Sequence, residues 1–318
     1  MYLVLSEYPQ TVLEFRDWFA DETACRDYLF QRRWPEGFSC PVCQGRDSWM
    51  TARPLNHCRA CGPQTSVTAG TLFMDTHLPL RLWFEALWPV TSQKYGASAL
   101  GRQRVLGVGS SRTAWNLLPK LRRAMVRPGR DRLRGVVAVD EIFIGGPRSG
   151  KRGRGAEGKA LVLVAVEESV EGIGRIRLAR VADASAHSRE PAVACAVESG
   201  SRVRTDDGKA YGGLSRLNDP HEIARHSTET GDNVLPLANR VASLLKRWLL
   251  GTHQGAVAHT HRDYYLDEFT FRFNRRTSRS RGRLCYRLIH QAVHWEAGPA
   301  KTFIGGRPGG LAQPVVLA

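Results

Sequence analysis

The sequence predicts a multidomain α+β protein. Three observations lead to this prediction: two Cys-x-x-Cys pairs near the N-terminus, a helical pattern over residues 79–130, and β-rich runs with intervening helical runs from residue 135. A chain of 318 residues is long enough for more than one domain. We expect a helical lead at 1–35, a cysteine-rich segment at 36–75, a helical region at 79–130, a strand-rich domain at 135–296 and a tail at 297–318.

Charge is the strongest signal in the composition. Forty-six Lys and Arg against thirty acids give a net charge of +16 and a pI near 10.1. Such a surface attracts polyanions, of which nucleic acid is the first choice and an anionic membrane surface the weaker one. No run of 18 apolar residues occurs, and the N-terminus does not resemble a signal peptide. We expect a soluble, cytoplasmic and nucleoid-associated protein with no membrane partner.

Four of the seven cysteines form a candidate metal site. The pairs "CPVC" and "CRAC" contribute Cys40, Cys43, Cys58 and Cys61, with fourteen residues between the pairs. Each Cys-x-x-Cys turn directs two thiolates at one point, and four thiolates complete the tetrahedral shell of zinc. The sequence therefore predicts a zinc ribbon over 36–75, with a structural ion worth on the order of 10 kcal/mol. We expect "SVTAGTLF" to end it as a strand, and His57 to be a bystander.

The helical region at 79–130 predicts a helix-turn-helix. Two helical runs flank a Gly-rich turn at 107–111, and Ser110 or Ser111 can cap the second run. Pro119 is expected to kink or shorten that second helix. Between residues 94 and 134 there are eleven Lys or Arg and one acid, although an ordinary basic helical pair would look similar. The cations expected to contact DNA here are Arg102, Arg104, Arg112, Arg122 and Arg123.

Residues 135–296 predict an RNase H-like α/β core with a mixed sheet. Three β-rich runs, "GVVAVDEIFIGG", "ALVLVAVEE" and "IGRIRLARVAD", precede the helical run "SREPAVACAVES", the short strand "RVRTDD" and a helix from about Ala238 to Gly251. Three strands, helix, strand, helix is the chain order of that fold. Its first and fourth strands lie side by side, which would bring Asp140 close to the aspartate pair at 206 and 207.

Converging carboxylates repel each other unless a hard cation such as Mg²⁺ lies between them. Asp140 and one of the paired aspartates are therefore candidate ligands, and strand alternation does not choose between Asp206 and Asp207. Alternation does place Glu141 on the other face, either in solvent or paired with an Arg. Two such ions, about 4 Å apart, can activate a water or a 3′-hydroxyl for phosphodiester transfer. The plainer alternative is that Asp140 caps a turn before Gly145.

From about Asp21 to Val293 the chain resembles bacterial insertion-sequence transposases that combine an N-terminal zinc ribbon with an RNase H-like, DDE-type catalytic domain. Six motifs carry the resemblance in order: "YLFQRRWPEGFSCPVC", "SVTAGTLF", "ALGRQRVLGVGSSRTAWNLL", "VAVDEIFIGG", "RVASLLKRWLLGTHQG" and "YLDEFTFRFNRRTSR". The resemblance implies Mg²⁺-dependent DNA cleavage and strand transfer by a homo-oligomer. The partners it implies are double-stranded terminal inverted repeats and target DNA.

By the same resemblance, Asp140, Asp206 and Asn239 are the three catalytic positions and the Mg²⁺ ligands. The family pattern Thr-Asp followed by Tyr, here Thr205, Asp206 and Tyr211, favours Asp206 over its neighbour. Four further cations are expected at the DNA near the reacting strands: Lys246, Arg247, Arg275 and Arg276.

Three departures from the family pattern leave alternatives open. Asn239 carries no charge, so the protein would supply −2 rather than −3 to the metals, and Asp207 replaces a usual glycine. Pro89 and Pro119 interrupt segments that are normally helical without proline. A catalytically decayed copy is therefore one alternative. A zinc-ribbon and helix-turn-helix regulator, or a metal-dependent nuclease without transfer activity, are the others.

Overall fold

The computed structural model of the chain divides into two units. It describes residues 8–93, 95–127, 129–145, 159–206, 211, 221–224, 233–254 and 261–294. Of these, residues 8–125 and 278–294 belong to the first unit and those from 126 to 277 to the second. Asp207 and the predicted tail at 297–318 lie outside the described residues.

The helical lead forms two helices in the first unit, α1 (Val12–Trp18) and α2 (Glu22–Arg33). Each begins at a side chain that accepts a hydrogen bond from a backbone N–H of the first turn: Thr11 for α1 and Asp21 for α2. They pack through aromatic rings on α3 (Leu80–Ser92), where Phe15 meets Trp88 and Phe19 meets Phe84. Pro89 is accommodated inside α3.

Between α2 and α3 the chain forms an antiparallel sheet of β1 (Ser48–Met50), β2 (Leu55–Cys58) and β3 (Gln64–Ser66), in that order. The strand expected over "SVTAGTLF" is wrong beyond Ser66. Residues 67–74 form turns instead, because hydroxyl groups bond to nearby backbone: Thr71 Oγ1 donates to the Thr68 carbonyl at 2.7 Å and accepts from Phe73 N at 3.1 Å.

The predicted helix-turn-helix consists of α4 (Ala99–Leu106) and α5 (Ser111–Ala124). Gly107 ends α4 at φ 63°, a conformation that glycine adopts without strain, and the Ser110 side chain caps α5. Pro119 does not shorten α5, which continues to Ala124. The burial of Leu117, Leu118 and Leu121 on its inner side favours the intact helix.

Helix α9 (Arg281–Val293) completes the first unit. The sequence-based boundary at residue 296 had placed this segment in the catalytic domain, whereas the structure places it against α3 and α2. The backbone N–H of Leu72 donates to the carbonyl of Ala292 at 3.0 Å, and Leu284, Leu288 and Ile289 are buried. The physical reason is its own amphipathic pattern, whose apolar side completes the core of the helical unit.

The second unit is built on one mixed sheet. Its described strands are β4 (Val136–Ile144), β5 (Ala160–Ser169), β6 (Gly172–Val181), β7 (Arg202–Thr205) and β8 (His221–Ile223), in the order β6-β5-β4-β7-β8. The first three are antiparallel neighbours, and β7 joins β4 in parallel. This confirms the RNase H-like core with a mixed sheet and the adjacency of its first and fourth strands.

Helices cover both faces of this sheet: α6 (Ala186–Ala196), α7 (Pro236–His253) and α8 (Arg262–Phe273). Ala138, Ile142 and Ile144 of β4 pack in one core cluster with α7 and α8, while Val137 and Val139 pack in the other with α6. Successive β4 side chains therefore enter different cores. Within the described residues, no helix combines the length and apolar character needed to cross a bilayer.

Candidate metal centre and carboxylate site

The four predicted cysteines meet at one point of the three-stranded sheet. Their Sγ atoms all lie within 4.8 Å of one another, with Cys40 to Cys61 at 3.5 Å and Cys43 to Cys58 at 3.6 Å. Zinc at about 2.3 Å from each sulfur would place the sulfurs of a tetrahedron about 3.8 Å apart. Both the donor set and the spacing thus fit a structural zinc ion.

Local backbone groups favour a thiolate at Cys40, whereas a hydrogen bond with Cys43 raises the pKa of Cys61. Hydrogen bonds from the backbone N–H groups of Cys43 and Val42 lower the pKa of Cys40 to about 6. His57 stacks on Trp49 with ring centroids 4.0 Å apart and is not part of the four-sulfur group.

The second site is defined by the register of β4 and β7. These parallel strands pair Val136 with Arg202 and Ala138 with Arg204. The same offset, continued for two residues, brings Asp140 level with Asp206, which directly follows the end of β7. Asp140 alternates with Ala138 and Ile142 and so belongs to the face of β4 on which α7 packs, and the same offset directs Asp206 towards that face.

Electrostatics around Asp140 agree with this placement. Burial raises the pKa of Asp140 above its ordinary value, and the negative charge of Asp206 raises it further. The backbone N–H of Glu141, which donates to Asp140 Oδ1 at 2.7 Å, lowers the pKa, as do the cations Lys246 and Arg189. The charges of Asp206 and Lys246 therefore both act on the Asp140 carboxyl.

Asn239 lies in the first turn of α7, and its side chain is exposed. Its amide donates to Asn233 Oδ1 at 2.8 Å. Lys246 follows seven residues later, about two helical turns, and thus lies on the same side of α7. Lys246 and Arg247 are both exposed.

The sequence predicts that Glu141 is either exposed to solvent or paired with an arginine, and the structure shows the pairing. Glu141 extends from the opposite face of β4 and forms a buried ion pair with Arg189 of α6, Nε to Oε1 at 3.0 Å. The hydroxyl of Tyr211 donates to the same carboxylate. The sequence analysis did not identify Arg189 as this partner. It could have been found because a buried carboxylate needs a cation and the segment "SREPAVACAVES" contains a single arginine.

The helix-turn-helix arginines that were predicted to contact DNA differ in their exposure to solvent. Arg104 and Arg112 are exposed and Arg123 is half-buried. Arg102 and Arg122 are buried, so the prediction that they reach DNA is corrected. Arg102 donates to Gln93 Oε1 and Arg122 to the Ala97 carbonyl, each at 3.4 Å, so both guanidinium groups tie helices to the segment that precedes α4.

Arg275 and Arg276 follow the end of α8 and make contacts within the second unit. Arg275 lies 4.1 Å from the ring centre of Phe271, and Arg276 lies 4.3 Å from that of Phe273. Arg276 also donates to the carbonyls of Gly174, at 3.2 Å, and Ile173. These contacts hold the end of α8 against β6.

The fold and the two sites define a class: a zinc-ribbon protein with an RNase H-like domain that carries paired carboxylates on adjacent strands. Residues 20–64, which include all four cysteines, match the transposase zinc-ribbon domain. Residues 132–274, which include Asp140, Asp206 and Asn239, match the ISXO2-like transposase domain. The chain is thus similar to both transposase domains, in the order zinc ribbon and then transposase domain.

One curated relative is a protein described as uncharacterized in the transposable element ISH50 of Halobacterium salinarum (strain ATCC 700922 / JCM 11081 / NRC-1). It is 27% identical over 140 residues, which cover 43% of this chain and 45% of the relative. The match thus spans less than half the length of either protein. Among solved structures, the simian T-cell lymphotropic virus intasome in complex with PP2A regulatory subunit B56 gamma aligns with 66% of this chain and 71% of its own, at 14% identity. Its TM-score of 0.31 is too low to support a shared fold.

Proposed function

We propose that this chain is the transposase of its insertion sequence, and that it binds the terminal inverted repeats, cleaves DNA strands at the element's ends and joins them to target DNA. The observation that carries the proposal is the parallel register of β4 and β7, by which Asp140 would lie level with Asp206 just beyond β7, together with the charges of Asp206 and Lys246 that act on Asp140. The transposase domain match over these residues supports it.

The donor set fits divalent magnesium. Asp140, Asp206 and Asn239 offer carboxylate and amide oxygens, the hard ligands that Mg²⁺ prefers. Bound there, Mg²⁺ would activate the attacking oxygen and stabilise the leaving oxygen of a phosphodiester. With an amide as the third ligand the protein contributes two negative charges rather than three, so we expect weaker metal binding than with a third carboxylate.

The remaining residues have binding and positioning roles. Lys246 and Arg247 on α7, and Arg104 and Arg112 on the helix-turn-helix, would contact phosphates, which their exposure supports. The net charge of +16 would attract DNA over long range and speed its association with the protein. The zinc ion would hold the ribbon folded and take no part in the chemistry. A homo-oligomer is expected because two element ends must be held together during transfer.

The test is a strand-transfer assay on DNA that carries the element's own ends, with Mg²⁺ or Mn²⁺. Asp140→Asn and Asp206→Asn each replace a carboxylate with an amide of the same shape, and each should lower transfer at least a thousandfold with little change in DNA affinity. Glu171→Gln, the same exchange at the exposed turn between β5 and β6, is the matched control and should remain active.

Transfer by Asp140→Asn at the control's rate would refute the catalytic assignment. A wild-type chain that binds the ends but neither nicks nor joins them would make the protein a DNA-binding regulator or a decayed copy. Cleavage of DNA that lacks the inverted repeats, without joining, would make it a nuclease.

A further inference from the structure

The face of the sheet opposite the carboxylate site contains a buried polar cluster of Glu141, Arg189 and Tyr211. Arg189 and Glu141 are 3.0 Å apart, with side chains only 6% and 11% exposed. The Tyr211 hydroxyl donates to the same oxygen, Glu141 Oε1, and Tyr211 is fully buried. The Arg189 guanidinium lies over the Tyr211 ring at 5.2 Å from its centre. Each member therefore contacts the other two.

The cluster joins the two chain segments that carry the candidate metal ligands. Glu141 directly follows Asp140 on β4, and Tyr211 comes five residues after Asp206. Regular pairing of β7 ends at Thr205, whose carbonyl accepts from Ala224 N at 2.7 Å and whose hydroxyl contacts His221 Nε2 at 2.9 Å. Asp206 is thus the first residue beyond the strand, with Thr205 fixed by β8 before it and Tyr211 fixed by Glu141 after it.

A buried ion pair of this kind contributes little net stability, since desolvation offsets the attraction of the charges. Hydrophobic side chains of the same volume at these positions would stabilise the fold at least as well. What the charged cluster adds is geometric, because a carboxylate that forms an ion pair with a guanidinium and accepts a hydrogen bond from a phenol can occupy few positions.

We propose that Glu141, Arg189 and Tyr211 are positioning residues that hold Asp206 level with Asp140, so that the pair binds divalent metal without reorganisation. The inference rests on the proposed function in that it takes Asp140 and Asp206 as the metal ligands. The three residues lie on the α6 face of the sheet, opposite the candidate ligand Asp140.

The experiment measures Mn²⁺ binding to the full-length, zinc-loaded chain by electron paramagnetic resonance of the free ion, which requires no catalysis. Tyr211→Phe retains the ring and removes the hydroxyl, and we expect it to weaken Mn²⁺ binding about tenfold. Tyr265→Phe removes the hydroxyl of another buried tyrosine of the same unit, next to Trp248, and should leave Mn²⁺ binding unchanged.

A double variant separates positioning from folding. Glu141→Gln or Arg189→Gln alone leaves one buried charge without its partner and should lower the unfolding temperature. Glu141→Gln with Arg189→Gln removes both charges and should recover most of that temperature, yet Mn²⁺ binding should remain about tenfold weaker. Recovery of metal binding together with stability would show a purely structural cluster and overturn the inference.

Equal Mn²⁺ affinity of Tyr211→Phe and wild type would also overturn it, as would a wild-type affinity no higher than that of Asp140→Asn. A wild type that binds Mn²⁺ through Asp140 but transfers no strands would refute the proposed function alone. Tyr211→Phe would still decide the positioning role in that case.

Discussion

Two arginines of the helix-turn-helix have different roles, one at the surface and one in the core. Arg112 lies at the exposed start of α5, whereas Arg122, ten residues later, is 3% exposed and donates to the Ala97 carbonyl. The sequence assigns both to DNA because both follow the basic pattern of the segment. Only the packing of α5 against its neighbours separates a phosphate contact from a structural one.

Arg112→Ala and Arg122→Ala should therefore fail in different ways. We expect Arg112→Ala to keep its melting temperature and to lose several-fold in affinity for the element's ends, with a shallower salt dependence. Arg122→Ala should unfold more readily, by on the order of 2 kcal/mol, because Ala97 loses a buried donor. Thermal melting and fluorescence anisotropy at two salt concentrations measure both effects. Unchanged stability of Arg122→Ala would contradict the structural role.

The ion pair of Glu167 with Arg175 should make the stability of the fold depend on pH. The hydrogen bonds of Glu167 with Arg175, at 2.8 Å and 2.9 Å, lower the pKa of Glu167 to about 2 from an ordinary 4.5. A carboxylate with a lowered pKa stabilises the fold above its ordinary pKa, and this contribution is lost as the pH falls from 4.5 towards 2. Arg175 is one third exposed, and solvent therefore screens the ion pair. We expect the pair to contribute about 2 kcal/mol to the free energy of unfolding, less than the full pKa shift would imply.

Glu167→Gln should accordingly lower the free energy of unfolding at pH 7, and the difference from wild type should shrink towards zero near pH 2. Urea unfolding at several pH values measures it. A difference that does not change with pH would show that the ion pair is not its source.

At the scale of elements, the zinc ribbon depends on its metal more than on its strands. β1, β2 and β3 have three, four and three residues, too few to bury a core of their own. The four converging sulfurs replace that core, since metal binding supplies the folding free energy of such small segments.

Cys58→Ser, or chelation of the zinc, should therefore melt the ribbon and weaken recognition of the element's ends. Cys195→Ser changes an exposed cysteine outside the cluster and should retain one zinc per chain. Metal analysis by mass spectrometry, together with hydrogen exchange over residues 20–64, separates the two variants. Slow exchange at β2 after complete zinc removal would refute the dependence.

At the scale of the whole molecule, the chain leaves its first unit at residue 125 and returns to it at residue 278. Helix α9 then covers α3, where the thiol of Cys285 is wholly buried and its pKa is raised to about 12 by burial. Among the described residues, the first unit is thus assembled from distant segments, whereas those of the second unit all lie between 126 and 277.

A chain that stops after Thr277 should lose stability in the first unit and retain it in the second. Leu284, Leu288 and Ile289 alone contribute about 1.5–3 kcal/mol each. Hydrogen exchange should accelerate in α3 but not in β4 or β5. A chain that stops after His294 keeps α9 and serves as the control. Slow exchange of α3 in the shorter chain would contradict this assignment of α9.

Local patterns predicted most of the elements. Strands β4, β5 and β6, a serine cap at Ser110 or Ser111, and the four-cysteine cluster follow from spacing and residue type, because each depends on residues close together in the sequence. Two local expectations failed. Residues after Ser66 form turns held by nearby hydroxyl groups and by the Ala292 carbonyl, which accepts from Leu72 N, and α5 stays intact around Pro119 because its leucines are buried.

The sequence by itself determined the donor groups of this protein: four cysteines at metal-binding spacing, an aspartate within one strand, an aspartate pair directly after another, and a basic surface. Only the tertiary structure decided which groups meet. The parallel register of β4 and β7 brings Asp140 level with Asp206, and the alternation of β4 side chains sends Glu141 to Arg189 and Tyr211 on the other face. The physical reason is that spacing along the chain fixes local geometry, whereas contact between residues about 65 positions apart depends on how strands pair and helices pack.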